Sequence, residues 1–265
     1  MTGNHHLAQA LDFQLRSIEL TAEQVRQIDA GWVIRSPRFP EVWSHNQVWV
    51  NKPITYAEAV ELCRRHFHGA QFWQLYLEYE NAGHRLLERL RTEGWEVDVE
   101  IHMRLTSAPG DVDAKAVIEP EEDEALELMA RWAREDETLH LSPEGIRQMV
   151  EKDRLVWRAR QARRFGIRAP GGALAAITQL FSDGRVGQVE HVYTVPEARG
   201  HGYARTLVTH AAAQALEGAH ELTFIVADDN DWPKELYARL GFEPLGRTWL
   251  LHLPPGRVGD VRGPS

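Results

Sequence analysis

Runs of apolar residues at regular spacing divide the chain into short strands and helices. The segment 189–195 alternates and is rich in β-branched and aromatic residues, and it lies between Gly187 and Pro196, which is typical of a strand. A helix is predicted immediately afterwards, from apolar residues at Ala204, Leu207, Val208, Ala211, Ala212 and Ala215. Gly218 supplies the stop signal for that helix.

The same patterns predict elements along the rest of the chain. Strands are expected at 47–50, 72–79, 97–105, 115–118, 164–168 and 173–181. Helices are expected at 22–30, 56–67, 82–92 and 121–134, with a further helix starting at Ser142 and Pro143.

One strand-helix-strand pattern occurs twice. Residues 74–105 can be laid beside 222–253, with Asn81 opposite Asn230 and Gly94 opposite Gly241. We interpret this as an internal duplication. The best linker is 106–114, which predicts a first lobe at 1–108, a second at 109–253 and a flexible tail rich in Pro and Gly at 254–265.

Composition excludes several classes of function. The chain has 265 residues and a net charge of -9, which argues against a nucleic-acid binder. Cys63 is the only cysteine, so an internal disulfide and a cysteine-based zinc site are excluded. The adjacent and alternate histidines lack carboxylate or cysteine partners, so no metal is expected. A targeting segment and long apolar runs are missing, which predicts a cytoplasmic protein without membrane contact.

The turn between the strand at 189–195 and the next helix is a candidate anion site. It reads Arg199, Gly200, His201, Gly202, Tyr203, Ala204. The first N–H groups of a helix have no partner inside the helix, and two glycines would let phosphate oxygens approach them. The alternative is an ordinary tight turn, because a short Gly-x-Gly sequence is weak evidence alone.

This turn resembles the pyrophosphate signature Gln/Arg-x-x-Gly-x-Gly/Ala of the GCN5-related N-acetyltransferase (GNAT) superfamily. Two later features agree: Asn230 follows the next strand, and Leu-Tyr-Ala-Arg-Leu-Gly-Phe at 236–242 matches the family's Leu-Tyr-x-x-x-Gly-Phe pattern. The resemblance implies an α/β (α+β) protein with a tandem GNAT fold, in which a mixed central sheet is flanked by helices in each lobe. It also implies acetyl-CoA, or another acyl-CoA, as co-substrate.

The resemblance assigns roles to individual residues. The pyrophosphate is expected on the turn from Arg199 to Ala204, and the pantetheine arm on the backbone of Val192, Tyr193 and Thr194. Asn230 would bond the pantetheine or cap the following helix. Tyr237 is the candidate acid for the departing thiolate, because a phenol and a thiol have similar acidities; the alternative is a buried tyrosine with a satisfied hydroxyl.

Glu190 is the candidate general base. It precedes Val192 by two residues, so both side chains, with that of Thr194, are expected on one face of the strand. The carboxylate could take the amine proton directly or through a water. A glutamate on a strand is often only solvated, and His191 is expected to face the other way.

The first lobe lacks the chemistry of the second. Where a glycine turn would follow Pro53, the sequence reads Ile-Thr-Tyr-Ala at 54–57. We therefore interpret the first lobe as a degenerate GNAT-like lobe, and the tandem arrangement as similar to that of mycothiol synthase. One donor site per chain is expected.

Two hypotheses about function follow. The first is an acyl-CoA-dependent N-acyltransferase acting on an amine of a small molecule, an amino acid or a peptide. The second is a non-catalytic acyl-CoA-binding regulatory or interaction protein. The first lobe would line the acceptor pocket or serve as an interaction or homodimerisation module.

Overall fold

The computed structural model describes residues 2–79, 82–110 and 114–260, without the side chains of 2–4. Its helices are α1 (Thr2–Glu19), α2 (Tyr56–His66), α3 (His84–Thr92), α4 (Glu122–Glu135), α5 (Pro143–Ala159), α6 (Tyr203–Glu217) and α7 (Pro233–Arg239). Its strands are β1 (Gln24–Ile28), β2 (Gly31–Arg35), β3 (Gln47–Val50), β4 (Trp73–Leu77), β5 (Glu96–Leu105), β6 (Val117–Ile118), β7 (Arg163–Arg168), β8 (Leu174–Ser182), β9 (Val186–Thr194), β10 (Leu222–Asp228) and β11 (Phe242–Leu253). None of the described helices is both long and apolar enough to cross a membrane.

The chain forms two compact units that are discontinuous in sequence. Unit 1 comprises the described residues of Met1–Thr21 and Ile101–Gly246, and unit 2 those of Ala22–Glu100 and Arg247–Ser265. The expected boundary at 108/109 separates the chain differently. The physical reason is that α1 joins the core of unit 1, whereas the end of β11 pairs with β4 in unit 2.

Unit 1 contains a mixed sheet in the order β5-β10-β9-β8-β7-β6, of which 101–105 is the part of β5 in this unit. β10 runs parallel to β9, while β8 is antiparallel to β9 and to β7. One apolar cluster joins the sheet to α1, α4 and α5, and a second joins it to α6 and α7. The sheet is therefore covered by helices on both faces, as the α/β class requires.

Local signals in unit 1 agree with the predictions. Ser142 caps α5 by accepting from the Gly145 N–H at 3.0 Å, and Pro143 is the first helical residue. Helix α6 buries Leu207, Val208, Ala211, Ala212 and Ala215, and Gly218 is its C-cap. The predicted helix at 121–134 is confirmed as α4, and the predicted strand at 173–181 as β8.

Unit 2 contains the strands β1-β2-β3-β4-β11 in that order. β3 and β4 are parallel, whereas β1 is antiparallel to β2, β2 to β3 and β4 to β11. Helices α2 and α3 pack on one apolar cluster with β3, β4 and the end of β11. This order repeats that of β7 to β10 with α6 and α7 in unit 1, which supports the internal duplication.

The glycines at the ends of α3 and α7 also correspond. Gly94 has φ +84° and Gly241 has φ +93°, the left-handed conformation that commonly ends a helix. Asn81, the residue laid opposite Asn230, lies outside the described residues. The correspondence of the two halves therefore depends on strand order and on these glycines.

Three expectations differ from the structure. The helix predicted at 22–30 is instead β1, which pairs with β2 from Gln24↔Arg35 to Ile28↔Gly31. The helix α1 was not predicted, although it buries Ala10, Leu11 and Phe13. In the segment expected as a flexible tail, Val258 packs against the core of unit 2; 261–265 lie outside the described residues.

Candidate functional site

A cavity of about 690 Å³ opens in unit 1 where β9 ends and α6 begins. Most of the predicted site residues line it. From β9 these are Val192, Tyr193 and Thr194; from the turn and α6 they are Arg199, Gly200, Gly202, Tyr203 and Ala204; from α7 it is Tyr237. The structure thus brings Tyr237 to the strand and the glycine turn, although these lie more than 30 residues before it in the sequence.

The cavity lies where two parallel strands separate. The ladder between β9 and β10 runs from Val186↔Leu222 to Val189↔Ile225 and ends there, although β9 continues to Thr194 and β10 to Asp228. The β10-facing edge of β9 from Val192 to Thr194 therefore lies beyond this ladder. Backbone groups along such an edge can pair with an extended ligand.

A β-bulge in β9 accompanies this separation. Gln179 pairs with Glu190 but Ile177 pairs with Tyr193, so β9 contains one extra residue, and His191 adopts φ +50°. The extra residue breaks the alternation that was expected to place Glu190 on the same face as Val192 and Thr194. That expectation is corrected: Val192 packs towards the α6 side of the sheet, whereas Glu190 accepts a hydrogen bond from the Gln188 side chain.

The glycine turn has the backbone conformation that glycine favours. Gly200 has φ +80° and Gly202 has φ +79°, and a Cβ at either position would meet no atom within 4 Å. Gly202 is the N-cap of α6 and provides no side-chain cap. The start of α6 therefore combines open space with N–H groups that no capping side chain covers.

The turn is braced by its own polar groups. Arg199 Nε donates to the Thr194 carbonyl oxygen at 3.2 Å. The His201 Nδ1 atom lies 3.0 Å from the Arg199 carbonyl oxygen and 3.2 Å from that of Ala198. His201 does not line the cavity, so its ring supports the turn backbone rather than facing the open space.

The cavity is positively charged within an acidic chain. Arg199, Arg205 and Arg239 line it, and Asp231 is the one acidic residue among the described lining residues. The chain as a whole has a net charge of -9. This local excess of guanidinium groups favours a polyanionic ligand.

Tyr237 lines the cavity and is 5% exposed. Burial raises the pKa of its hydroxyl above the ordinary value, and the negative charges of Glu190 and Asp231 raise it further. No hydrogen bond joins this hydroxyl to another described residue. Tyr237 is therefore a neutral phenol that keeps its proton at physiological pH and has that proton available for a ligand.

Glu190 and Asn230 do not line the cavity. Glu190 is half-buried in β9, yet its charge reaches Tyr237. Asn230 is exposed, and its backbone N–H donates to Asp228 Oδ1 at 2.7 Å. Because the N-cap of α7 is Trp232 and no side chain caps it, the suggested capping role of Asn230 is not seen.

Sequence reasoning missed several lining residues. Trp132 reaches the cavity from α4, and Trp232, which is 59% exposed, lies at the start of α7. Arg205 and Arg239 were also not predicted. The spacing of Arg205 from the glycine turn was a usable signal, whereas Trp132 lies 60 residues before Val192 in the chain and no local pattern connects them.

The comparison with known families decides the classification. A model described as "Acetyltransferase (GNAT) family" matches residues 124–242. Residues 124–242 therefore match the GNAT family. That match supports acyl transfer in general, and it confirms the resemblance drawn from the glycine turn and the residues 236–242.

Two solved structures show the same fold over most of the chain. A GCN5-related N-acetyltransferase from Kribbella flavida is 22% identical, with a TM-score of 0.59 and coverage of 96% of this chain and 98% of that one. A functionally unknown conserved protein from Staphylococcus epidermidis is 13% identical, with a TM-score of 0.66 and coverage of 89% and 95%. No curated protein matches significantly. The likeness to mycothiol synthase stays a prediction.

Proposed function

We propose that this protein is an N-acyltransferase that takes its acyl group from acetyl-CoA and transfers it to an amine of a small molecule, an amino acid or a peptide. One observation carries the proposal. A free strand edge, an uncapped helix N-terminus and a buried tyrosine hydroxyl meet in one cavity of unit 1.

The glycine turn fits a pyrophosphate. Side chains are missing where phosphate oxygens would approach, since Gly200 and Gly202 have open space beside them. The uncapped N-terminus of α6 offers N–H donors and the positive end of the helix dipole. The guanidinium groups of Arg199, Arg205 and Arg239 add positive charge around the same space.

The edge of β9 fits an extended amide-containing arm. The N–H and C=O groups from Val192 to Thr194 lie beyond the ladder with β10, so they can accept the arm as an additional strand. A backbone N–H on the same edge can donate to a carbonyl oxygen that gains negative charge during acyl transfer. This edge therefore orients the reacting carbonyl as well as binding the donor.

When bound, acetyl-CoA supplies a thioester carbonyl and a thiol leaving group. Tyr237 supplies the proton that the thiolate needs, because its raised pKa keeps the hydroxyl protonated at neutral pH. Glu190 is the proposed acceptor of the amine proton, directly or through a water. The negative charge of Glu190 also raises the pKa of the Tyr237 hydroxyl.

Turnover tests the proposal. The purified protein is incubated with acetyl-CoA and a panel of amines, and free thiol is measured. We expect acceptor-dependent release of CoA that is about 10² slower in Tyr237→Phe. Tight CoA binding without thiol release by any amine of the panel, including peptides and polyamines, would instead favour the non-catalytic binding protein.

A further inference from the structure

Two side chains of α4 that lie outside the cavity connect the edge of β9 with the segment just before the glycine turn. The Tyr193 hydroxyl donates to Glu135 Oε2 at 2.5 Å, and Glu135 Oε1 accepts from Arg131 Nε at 2.7 Å. Arg131 also donates from Nη1 and Nη2 to the two carboxylate oxygens of Glu197, at 2.8 and 2.7 Å. Four side chains therefore form one continuous chain of charge-assisted hydrogen bonds.

The two ends of this hydrogen-bond network, Tyr193 and Glu197, lie in segments with different proposed roles in donor binding. Tyr193 belongs to the free edge of β9, where the pantetheine arm is proposed. Glu197 lies in the single 3-10 turn Pro196–Ala198, two residues before Arg199 and the glycine turn. Arg131 and Glu135 do not line the cavity themselves. They act on the backbone that does.

The charges keep this arrangement intact at neutral pH. Burial and the bond to Glu135 raise the pKa of Tyr193, so its hydroxyl remains a donor. The bonds from Tyr193 and Arg131 lower the pKa of Glu135, and the bond from Arg131 lowers that of Glu197. Both carboxylates therefore stay ionised and both contacts with Arg131 stay charged.

The network contributes more to the geometry of the site than to the stability of the fold. Arg131 and both of its carboxylate partners are partly solvent-exposed, and ion pairs of that kind contribute little to folding. A bidentate guanidinium contact nevertheless fixes the direction and distance of its carboxylate. In this protein it fixes Glu197, and with it the start of the turn, relative to Tyr193.

We propose that Arg131 and Glu135 are positioning residues for the acyl donor. They hold the free edge of β9 at a set spacing from the glycine turn, so that the arm and the pyrophosphate of one CoA molecule can be bound together. The proposal depends on the proposed function, because it assigns the spacing to CoA. It assigns a role in donor binding to two residues that contact neither the donor nor the reacting atoms.

The same helix provides a matched control. Arg168 of β7 makes a bidentate pair with Glu124 of α4, at 2.5 and 2.8 Å, and neither residue lines the cavity. Arg168→Ala therefore removes a guanidinium-carboxylate contact of α4 that is unrelated to the donor segment. If Arg131→Ala weakens CoA binding more than Arg168→Ala does, the difference is due to where the network lies and not to the loss of an ion pair of α4.

Calorimetric titration with CoA tests the proposal. We expect the Kd of Arg131→Ala to rise about tenfold, about 1.4 kcal/mol, while kcat at saturating acetyl-CoA changes less than twofold. Arg131→Lys should show a similar loss, since it keeps the charge but not the two-pronged contact. Arg168→Ala should bind CoA as the wild type does.

The outcomes separate the two proposals. Failure of the wild type to bind CoA would overturn the proposed function, whereas equal Kd values in wild type and Arg131→Ala would overturn only the positioning role. If Arg131→Ala lowers the melting temperature more than Arg168→Ala does, Glu135→Gln decides, since it keeps the size of a side chain outside the cavity and removes the charge that binds Arg131 and Tyr193. A wild-type Kd in that variant contradicts the positioning role, and a raised Kd with unchanged kcat supports it.

Discussion

Thr55 and Glu58 close the first turn of α2 with their own side chains. Thr55 Oγ1 accepts from the Glu58 N–H at 3.3 Å, and Glu58 Oε2 accepts from the Thr55 N–H at 2.7 Å. These bonds lower the pKa of Glu58, so a carboxylate remains at this helix N-terminus at neutral pH. At the corresponding place in unit 1, Gly202 leaves α6 without a side-chain cap.

The contrast predicts one CoA per chain. In unit 2 the N–H groups of Thr55 and Glu58 are occupied by the capping box, and the Glu58 carboxylate places a negative charge where a phosphate would bind. Isothermal titration of the full chain with CoA should therefore give a stoichiometry of one CoA per chain. A stoichiometry of two would contradict the interpretation of the first lobe as degenerate.

Gly202→Asp should remove CoA binding without unfolding the protein. The new side chain would enter the open space beside the turn and bring a negative charge to it. The left-handed backbone alone disfavours a side chain by about 1–2 kcal/mol. Gly184→Asp is the control, because Gly184 has φ +87° with equally open space in the β8-β9 turn. It should lose similar stability but keep its affinity for CoA, measured by calorimetry alongside thermal melting.

Tyr237→Phe should lower kcat by about 10² with little change in CoA affinity, because the proton is needed only as the thiolate departs. Steady-state kinetics with saturating acetyl-CoA and a calorimetric Kd check the two parts separately. A variant with undiminished kcat would leave Tyr237 as a packing residue of the α6 side of the sheet.

Arg205→Glu should weaken CoA binding more at low salt than at high salt. The residue lines a cavity whose charge is otherwise carried mainly by Arg199 and Arg239, so reversal changes the local field by two charges. Arg134→Glu makes the same charge change on an exposed residue of α4 that does not line this cavity. Equal losses in the two variants would indicate a general charge effect.

Acid should destabilise the protein through His102. Burial lowers the pKa of this imidazole to about 3, from 6.5 in an unfolded chain, and its Nε2 lies 2.8 Å from Gln14 Oε1. The unfolded state takes up a proton below pH 6.5 while the folded state does not. This group's contribution to the free energy of unfolding should therefore fall by about 1.4 kcal/mol per pH unit from pH 6.5 towards 3.

Urea unfolding at pH 7 and pH 5 measures this dependence. His102→Gln cannot take up a proton, so its free energy of unfolding should change less between the two pH values than that of the wild type. An identical change in both proteins would show that His102 is not the group responsible.

Much of unit 1 could be predicted because its signals are local. Ser142, Pro143 and Gly218 mark helix ends through contacts with their own neighbours, and the glycine turn is read within six residues. The strand β1 shows the limit of such signals. Thr21 and Gln24 have the spacing of a capping box, but pairing with β2 determines the conformation that 24–28 adopt.

The bulge at His191 explains why the face of Glu190 was misjudged. Side chains alternate between the two faces only where a strand is regularly paired, and one extra residue reverses the face of the side chains that follow it. Nothing in the sequence of β9 marks that residue as extra; it is seen only against the register with Gln179 and Ile177. In the same way, the approach of Trp132 and Arg131 depends on how α4 packs on the sheet.

Strands β5 and β11 each contribute residues to both units, and this has a consequence for shortening the sequence. Residues 101–105, encoded by the first half of the gene, belong to unit 1, while the end of β11, encoded by the second half, pairs with β4. A deletion of either half would take a strand from the unit that remains. The first half of the sequence is therefore needed to complete the unit that contains the cavity.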